Sequence, residues 1–258
     1  MRPNHPTPYK DINIVLNLLL TNAREVLKDQ FVGMYLYGSL ASGDFDLETS
    51  DIDFLIVTKD ILSERTISDL EVMHNRIWKD GLKWASKLEG SYVHRRLIRV
   101  HDPNGEPCPT INEGKFFVDK RGSDWIIQRH VVRDCGVIIE GPDPKELIDF
   151  VSSDDIRDAI MGILNDWWFS ILNDPLWLKK RGTEYQAYAV ISMCRALHAL
   201  EYGTIVSKPK AIQWARKNLR EPWKGLIDKA IAVSHVEEND NFLEETLRFI
   251  RFVKEKVI

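Results

Sequence analysis

Apolar and polar positions alternate along this chain with two different periods, and the switch between them marks its elements. Residues 11–28 place Val15, Leu18, Leu19, Ala23, Val26 and Leu27 on one helical stripe, which predicts an amphipathic helix. Residues 31–37 read as a strand, closed by Gly38-Ser39 and a short segment containing Gly43. A second strand is expected over residues 51–58. A long polar helix follows from Ser63 to about Trp84, with Ile67, Leu70, Met73 and Ile77 on its buried side. Residues 87–100 read as a third strand. Residues 101–124 lose all periodicity among Pro, Gly and charge, which predicts a long loop of the kind that often serves as an active-site lid or is simply mobile.

Beyond Asp124 the pattern changes. A helix over residues 125–133 and a short strand at Val137, Ile138 and Ile139 lead to Gly141-Pro142. From there on only helical periods occur, over residues 145–151, 154–172, 183–202, 208–219, 222–234 and 239–256. The expected fold class is α+β: a mixed sheet with flanking helices over residues 1–142, then an α-helical bundle over 143–258.

Composition narrows the class without naming an activity. At 258 residues, with 44% hydrophobic and 29% charged side chains, the chain reads as an ordinary soluble globular protein of one large or two small domains. A net charge of −4 argues against a general nucleic-acid binder, whose footprint would be basic. Cys108, Cys135 and Cys194 are odd in number and far apart, giving neither a disulfide framework nor a metal spacing and pointing to a reducing compartment. No window approaches a membrane span and the first residues carry no apolar leader, so a cytoplasmic location is expected.

The chemistry concentrates in Gly38-Ser39, followed after eleven residues by Asp51-Ile52-Asp53. Side chains two apart in a strand point the same way, so Asp51 and Asp53 share a face. Paired carboxylates can hold Mg²⁺, a hard cation that also binds substrate phosphates. The backbone N–H groups of a Gly-Ser turn can cradle phosphate oxygens. The bland alternative is a turn with Asp51 capping it and Asp53 solvated at a strand edge; the apolar flanks count against that, since Asp is depleted from strands. Glu89 opens the third strand and lies beside the pair if that strand neighbours the second. A positioned carboxylate there can take the proton of an attacking hydroxyl.

With Gly38-Ser39, Asp51-Ile52-Asp53 and Glu89 in this order, the first half resembles the nucleotidyltransferase superfamily typified by DNA polymerase β. More closely, the chain resembles the aminoglycoside adenylyltransferases that modify streptomycin and spectinomycin. The run through Val137, Ile138, Ile139, Gly141 and Pro142 is similar to that family's domain-joining strand. Arg195, then Gly203, Lys208, Ala211 and Trp214, is similar to its helix–turn–helix segment. The resemblance is strongest over residues 32–58.

What the resemblance implies is an Mg²⁺-dependent transfer of AMP from ATP to a hydroxyl of a small polar acceptor, an aminoglycoside or aminocyclitol antibiotic; a monomer is the simpler expectation for a cleft between two domains. Asp51 and Asp53 match the metal ligands, Gly38 and Ser39 the phosphate-contacting turn, and Glu89 the catalytic base. Arg195 and Lys208 match basic residues that reach the nucleotide from the helical domain across a cleft. The chain departs from the family where an acidic stretch binds the cationic drug: Lys179, Lys180 and Arg181 stand there, with Glu184 the lone acid. Near Ser234-His235 it also lacks the family's tyrosine. Positive charge repels an amine-rich sugar, so a different acceptor (a metabolite, a protein or an RNA end) stays open, as does a nucleotide-binding module that has lost catalysis.

Other residues draw blander readings. The histidines show no metal-ligand spacing, and His94 and His235 read as structural or surface residues. Trp167 and Trp168 read as packing residues, whereas Trp177, beside a turn, can stack on an acceptor. Ser39 lacks the elbow motif of a hydrolase nucleophile.

Overall fold

The computed structural model describes residues 6–102, 104–232 and 240–258. The chain forms two compact units, Met1–Val151 and Ser152–Ile258.

The first unit is α+β. Helix α1 (Lys10–Leu27) leads into strand β1 (Phe31–Leu36), the short helix α2 (Gly38–Ser42) and strand β2 (Ile52–Thr58). Helix α3 (Glu64–Lys79) starts where the Ser63 side chain accepts the Thr66 N–H, an N-cap that satisfies an otherwise orphaned donor. Strand β3 (Leu88–His94) runs parallel to β2; every other pairing in the sheet is antiparallel.

The stretch read as one strand to Val100 stops at His94. It continues as helix α4 (Arg95–Arg99), which buries Leu97 and Ile98. The buried Arg129 donates to the carbonyls of Ile98 and Arg99, satisfying the end of that helix.

The segment read as a loop is in part a hairpin, β4 (Cys108–Asn112) and β5 (Lys115–Asp119). Its two-residue turn has Glu113 at φ 47° and Gly114 at φ 70°, the left-handed pair that such tight turns require. Helix α5 (Asp124–Cys135), strand β6 (Val137–Glu140) and helix α6 (Pro144–Leu147) complete the unit. The sheet order is β5-β4-β3-β2-β1-β6.

Alternation along the strands divides the core. Ile52, Phe54 and Ile56 face α1 and α3, packing with Leu16, Leu19, Leu70 and Ile77. Leu55 and Val57 face the other way, packing with Val93, Trp125, Val132, Leu147 and Ile148. Leu147 and Ile148 lie beyond the expected boundary at Gly141-Pro142, yet their apolar side chains complete this core, and the compact unit closes at Val151.

The second unit is helical: α7 (Ser153–Ile163), α8 (Pro175–Lys180), α9 (Gly182–Tyr202), α10 (Lys208–Asn218), α11 (Trp223–Ile231) and α12 (Asp240–Val257). The helix expected over residues 154–172 breaks after Ile163 into a π-helical turn, Leu164–Trp168, and a short 3-10 helix, Ser170–Asn173. The core centres on α9, whose Val190, Met193, Cys194 and Leu197 pack with Ala211, Ala215, Ile227, Phe249, Ile250 and Val253. Gly203, at φ 62°, ends α9 in the left-handed conformation. Ser234 and His235, where the family's tyrosine is missing and a structural or surface histidine was expected, lie outside the described residues. Among those described, no helix is long and apolar enough to cross a membrane.

Candidate active site

Strand register sets two carboxylates side by side at one end of the sheet. In the parallel pair β2–β3, Ile52 lies beside Leu88 and Asp53 beside Glu89. Asp53 has the parity of Leu55 and Val57, so it and Glu89 sit at the edge of the face that α5 covers. Asp51, one residue before β2, has the same parity.

Gly38 is placed against this group. The Tyr37 N–H donates to the Asp53 carbonyl at 3.1 Å, carrying the β1–β2 pairing past Leu36. The backbone then turns through φ +64° at Gly38, and a Cβ there would run into the Asp53 carboxylate. Only glycine combines that φ with that approach. Ser39 follows in the first turn of α2, half-buried, its carbonyl accepting the Asp44 N–H at 3.1 Å.

Several neighbours of the carboxylates carried no role in the sequence reading. The Asn112 side-chain amide donates to Glu89 Oε1 at 3.3 Å. The Lys87 ammonium pairs with Asp51 Oδ1 at 3.1 Å. Tyr37 has its phenol pushed far above the usual range by burial and then by the charges of Asp53 and Glu89, so it stays a neutral hydroxyl beside them. Arg121 partly offsets that shift. Its guanidinium donates to the hydroxyls of Ser91 and Thr110 and lies 5.4 Å from the Trp125 ring centroid.

Asn112 and Arg121 were hidden because their segment reads as loop. Lys87 ends a 3-10 turn, Ala85–Lys87, just before β3, and its pairing with Asp51 depends on how the two strands align, which no local pattern shows.

This donor set suits a hard divalent cation. Among the described residues no three His, Cys, Asp or Glu side chains are grouped to hold a metal ion unaided. Mg²⁺ needs only one or two carboxylates when substrate phosphates supply further oxygens. The ammonium resting on Asp51 marks a place where positive charge is favoured.

Arg195 and Lys208 belong to the second unit. Arg195 is half-buried on α9, two helical turns from Tyr188 and so on the same helix face. Lys208 opens α10, and its ammonium lies 5.8 Å from the Tyr188 ring centroid. Next to these residues is an aromatic cluster. Trp177 meets Trp167 and Tyr185 edge-on, each at 5.3 Å, and Tyr185 meets Tyr188 at 5.5 Å. Trp168 is buried as expected, but Trp167, on the π-helical turn, is 46% exposed. Lys179 and Lys180 end α8, and the Arg181 guanidinium lies over Trp177 at 4.8 Å and Tyr185 at 5.7 Å. Of that basic stretch, Arg181 is stacked on the aromatic cluster, and all three residues are exposed.

Known proteins resemble this chain in both units. Residues 20–96 match the nucleotidyltransferase domain model, and residues 146–256 match the model described as "Aminoglycoside adenylyltransferase, C-terminal domain". A spectinomycin 9-adenylyltransferase of Campylobacter jejuni is 22% identical, with 94% of each chain covered. The crystal structure of the spectinomycin adenyltransferase AAD(9) from Enterococcus faecialis, solved with ATP and spectinomycin, superposes with a TM-score of 0.72. Its identity is 17%, with 94% of this chain and 98% of that one covered, so that likeness speaks for the fold.

Proposed function

We propose that the chain, whose residues 20–96 match the nucleotidyltransferase domain model and whose residues 146–256 match the aminoglycoside adenylyltransferase C-terminal domain model, is a nucleotidyltransferase that adenylylates a spectinomycin-type antibiotic. The reaction moves AMP from ATP to an acceptor hydroxyl and releases pyrophosphate. The observation that carries the reading is the in-register pair Asp53–Glu89, with Asp51 on the same face. This puts metal-binding and proton-accepting carboxylates within one strand spacing of each other.

In this reading Asp51 and Asp53 hold Mg²⁺, which when bound neutralises the triphosphate and polarises the α-phosphorus. Glu89 accepts the proton of the acceptor hydroxyl. The hydroxyl oxygen bonds to the α-phosphorus as the bond to the bridging oxygen of pyrophosphate breaks. Asn112 fixes the Glu89 carboxylate through its amide contact. Gly38 and Ser39 bind the phosphates, and Arg195 and Lys208 supply positive charge to the nucleotide. The relatives named for spectinomycin support the acceptor class.

One observation favours a second reading. The cation stacked on Trp177 and Tyr185 is the protein's own Arg181, so that surface suits a less cationic acceptor than an amine-rich antibiotic.

Pyrophosphate release from Mg²⁺ and ATP, with spectinomycin, with streptomycin and with no acceptor, tests both readings, with Asp53→Ala as the blank. Release that needs spectinomycin and Asp53 is expected. Silence with both drugs, while ATP still binds, would move the acceptor to the second reading.

A further inference from the structure

Strands β2 and β3 set Asp53 beside Glu89, and just before them Asp51 and Lys87, the last residue of a 3-10 turn, form an ion pair. The register places Ile52 beside Leu88. One step back, Lys87 falls beside Asp51, and its ammonium holds Asp51 Oδ1 at 3.1 Å. The two side chains are 40% and 43% exposed, so the pair sits at the open edge of the sheet, within reach of a solvated ion. The two strands thus set Asp53 beside Glu89, and the residues just before them set the Lys87 ammonium on Asp51.

We propose that Lys87 is a built-in competitor for the metal: its ammonium neutralises Asp51 until a divalent cation displaces it. The inference rests on the reading of Asp51 as a metal ligand and adds a residue that sets how readily that ligand becomes available. Like charges from two adjacent strands repel, and the ammonium offsets that repulsion before metal arrives. An ammonium suits the task because it is a compact charge on a flexible stem, able to leave without disturbing the backbone. An exposed ion pair is weak, so an ion of twice the charge that brings phosphate ligands with it can replace it. Metal alone, without the triphosphate, competes poorly. Lys87 therefore couples metal entry to nucleotide entry as a positioning residue.

The test is a Mn²⁺ titration of the full chain without nucleotide, reading free Mn²⁺ by its paramagnetic resonance signal. Wild type, Lys87→Met, Lys87→Gln, Lys87→Arg and Asp51→Asn are compared, with circular dichroism confirming that each is folded. Lys87→Met and Lys87→Gln are expected to bind Mn²⁺ about three- to tenfold more tightly, because an adjacent positive charge and an ion pair have been removed. Lys87→Arg should stay near wild type, and Asp51→Asn should bind more weakly. Unchanged or weaker binding in both neutral Lys87 variants, with Asp51→Asn still impaired, would overturn the role of Lys87 and leave Asp51 as a ligand. Wild-type binding by Asp51→Asn would overturn the metal-ligand reading itself, and the Lys87 proposal with it.

Discussion

At position 38 the backbone turns through φ +64° with the Asp53 carboxylate where a Cβ would have to go. Alanine there meets two penalties at once. The left-handed conformation costs roughly 1–2 kcal/mol for a residue with a Cβ, and the carboxylate must also move away. Gly38→Ala is therefore expected to lower the melting temperature and to reduce kcat by about a hundredfold, the loss that a shift of about 1 Å in a catalytic group can cause. A variant with wild-type kcat would show that Asp53 need not sit against this turn. Glu89 gives a cleaner separation. Glu89→Gln keeps an oxygen for the Asn112 amide but cannot accept a proton. It should leave ATP affinity near wild type in a calorimetric titration while removing most of the turnover. Retained turnover would transfer the base role to another group.

Strand pairing decides how much of the site could be read from the sequence. Asp51, Asp53 and Glu89 were legible because alternation within a strand is local, and Gly38 because a turn between apolar runs is local too. The register between β2 and β3 is not local, and it is what brings Asp53 beside Glu89 and Lys87 beside Asp51. Asn112 and Arg121 escaped for a related reason. The hairpin β4–β5 is short, and the apolar run Phe116-Phe117-Val118 of its exposed edge strand stands in a segment otherwise full of Pro, Gly and charge. The same packing of elements buries His74 of α3 against β2 and β3. There its Nε2 lies 2.8 Å from the Tyr92 hydroxyl and its ring stacks on Phe54. Burial lowers its pKa from 6.5 to about 3. The unfolded chain therefore takes up this proton first as pH falls. Stability linked to His74 is complete above pH 6.5 and is lost progressively toward pH 3. Urea unfolding at pH 7 and pH 5 should show wild type losing about 2 kcal/mol more than His74→Gln over that interval. Equal losses would mean that the imidazole is protonated within the fold.

Over the whole molecule, the residues assigned to one reaction are divided between two separately packed units. Gly38, Ser39, Asp51, Asp53 and Glu89 belong to the α+β unit, and Arg195 and Lys208 to the helical one. The helical character of the second half was legible from periodicity. The break after Ile163 was not, because the apolar stripe runs on through the π-helical turn. If both units act on one nucleotide, their variants must fail in different ways. Asp53 contributes to the chemical step, so Asp53→Ala should abolish turnover at any ATP concentration. In the proposed reaction Lys208 would contribute charge to the triphosphate equally before and during the chemical step. Lys208→Ala should then raise the KM for ATP by about tenfold and leave kcat near wild type, as loss of one charge-assisted contact does. Steady-state kinetics with ATP varied at saturating acceptor reads both values at once. An unchanged KM, with the KM for the acceptor raised instead, would move Lys208 from the nucleotide to the acceptor. Its ammonium over Tyr188, beside the aromatic cluster, would then be part of the surface that chooses which hydroxyl is modified.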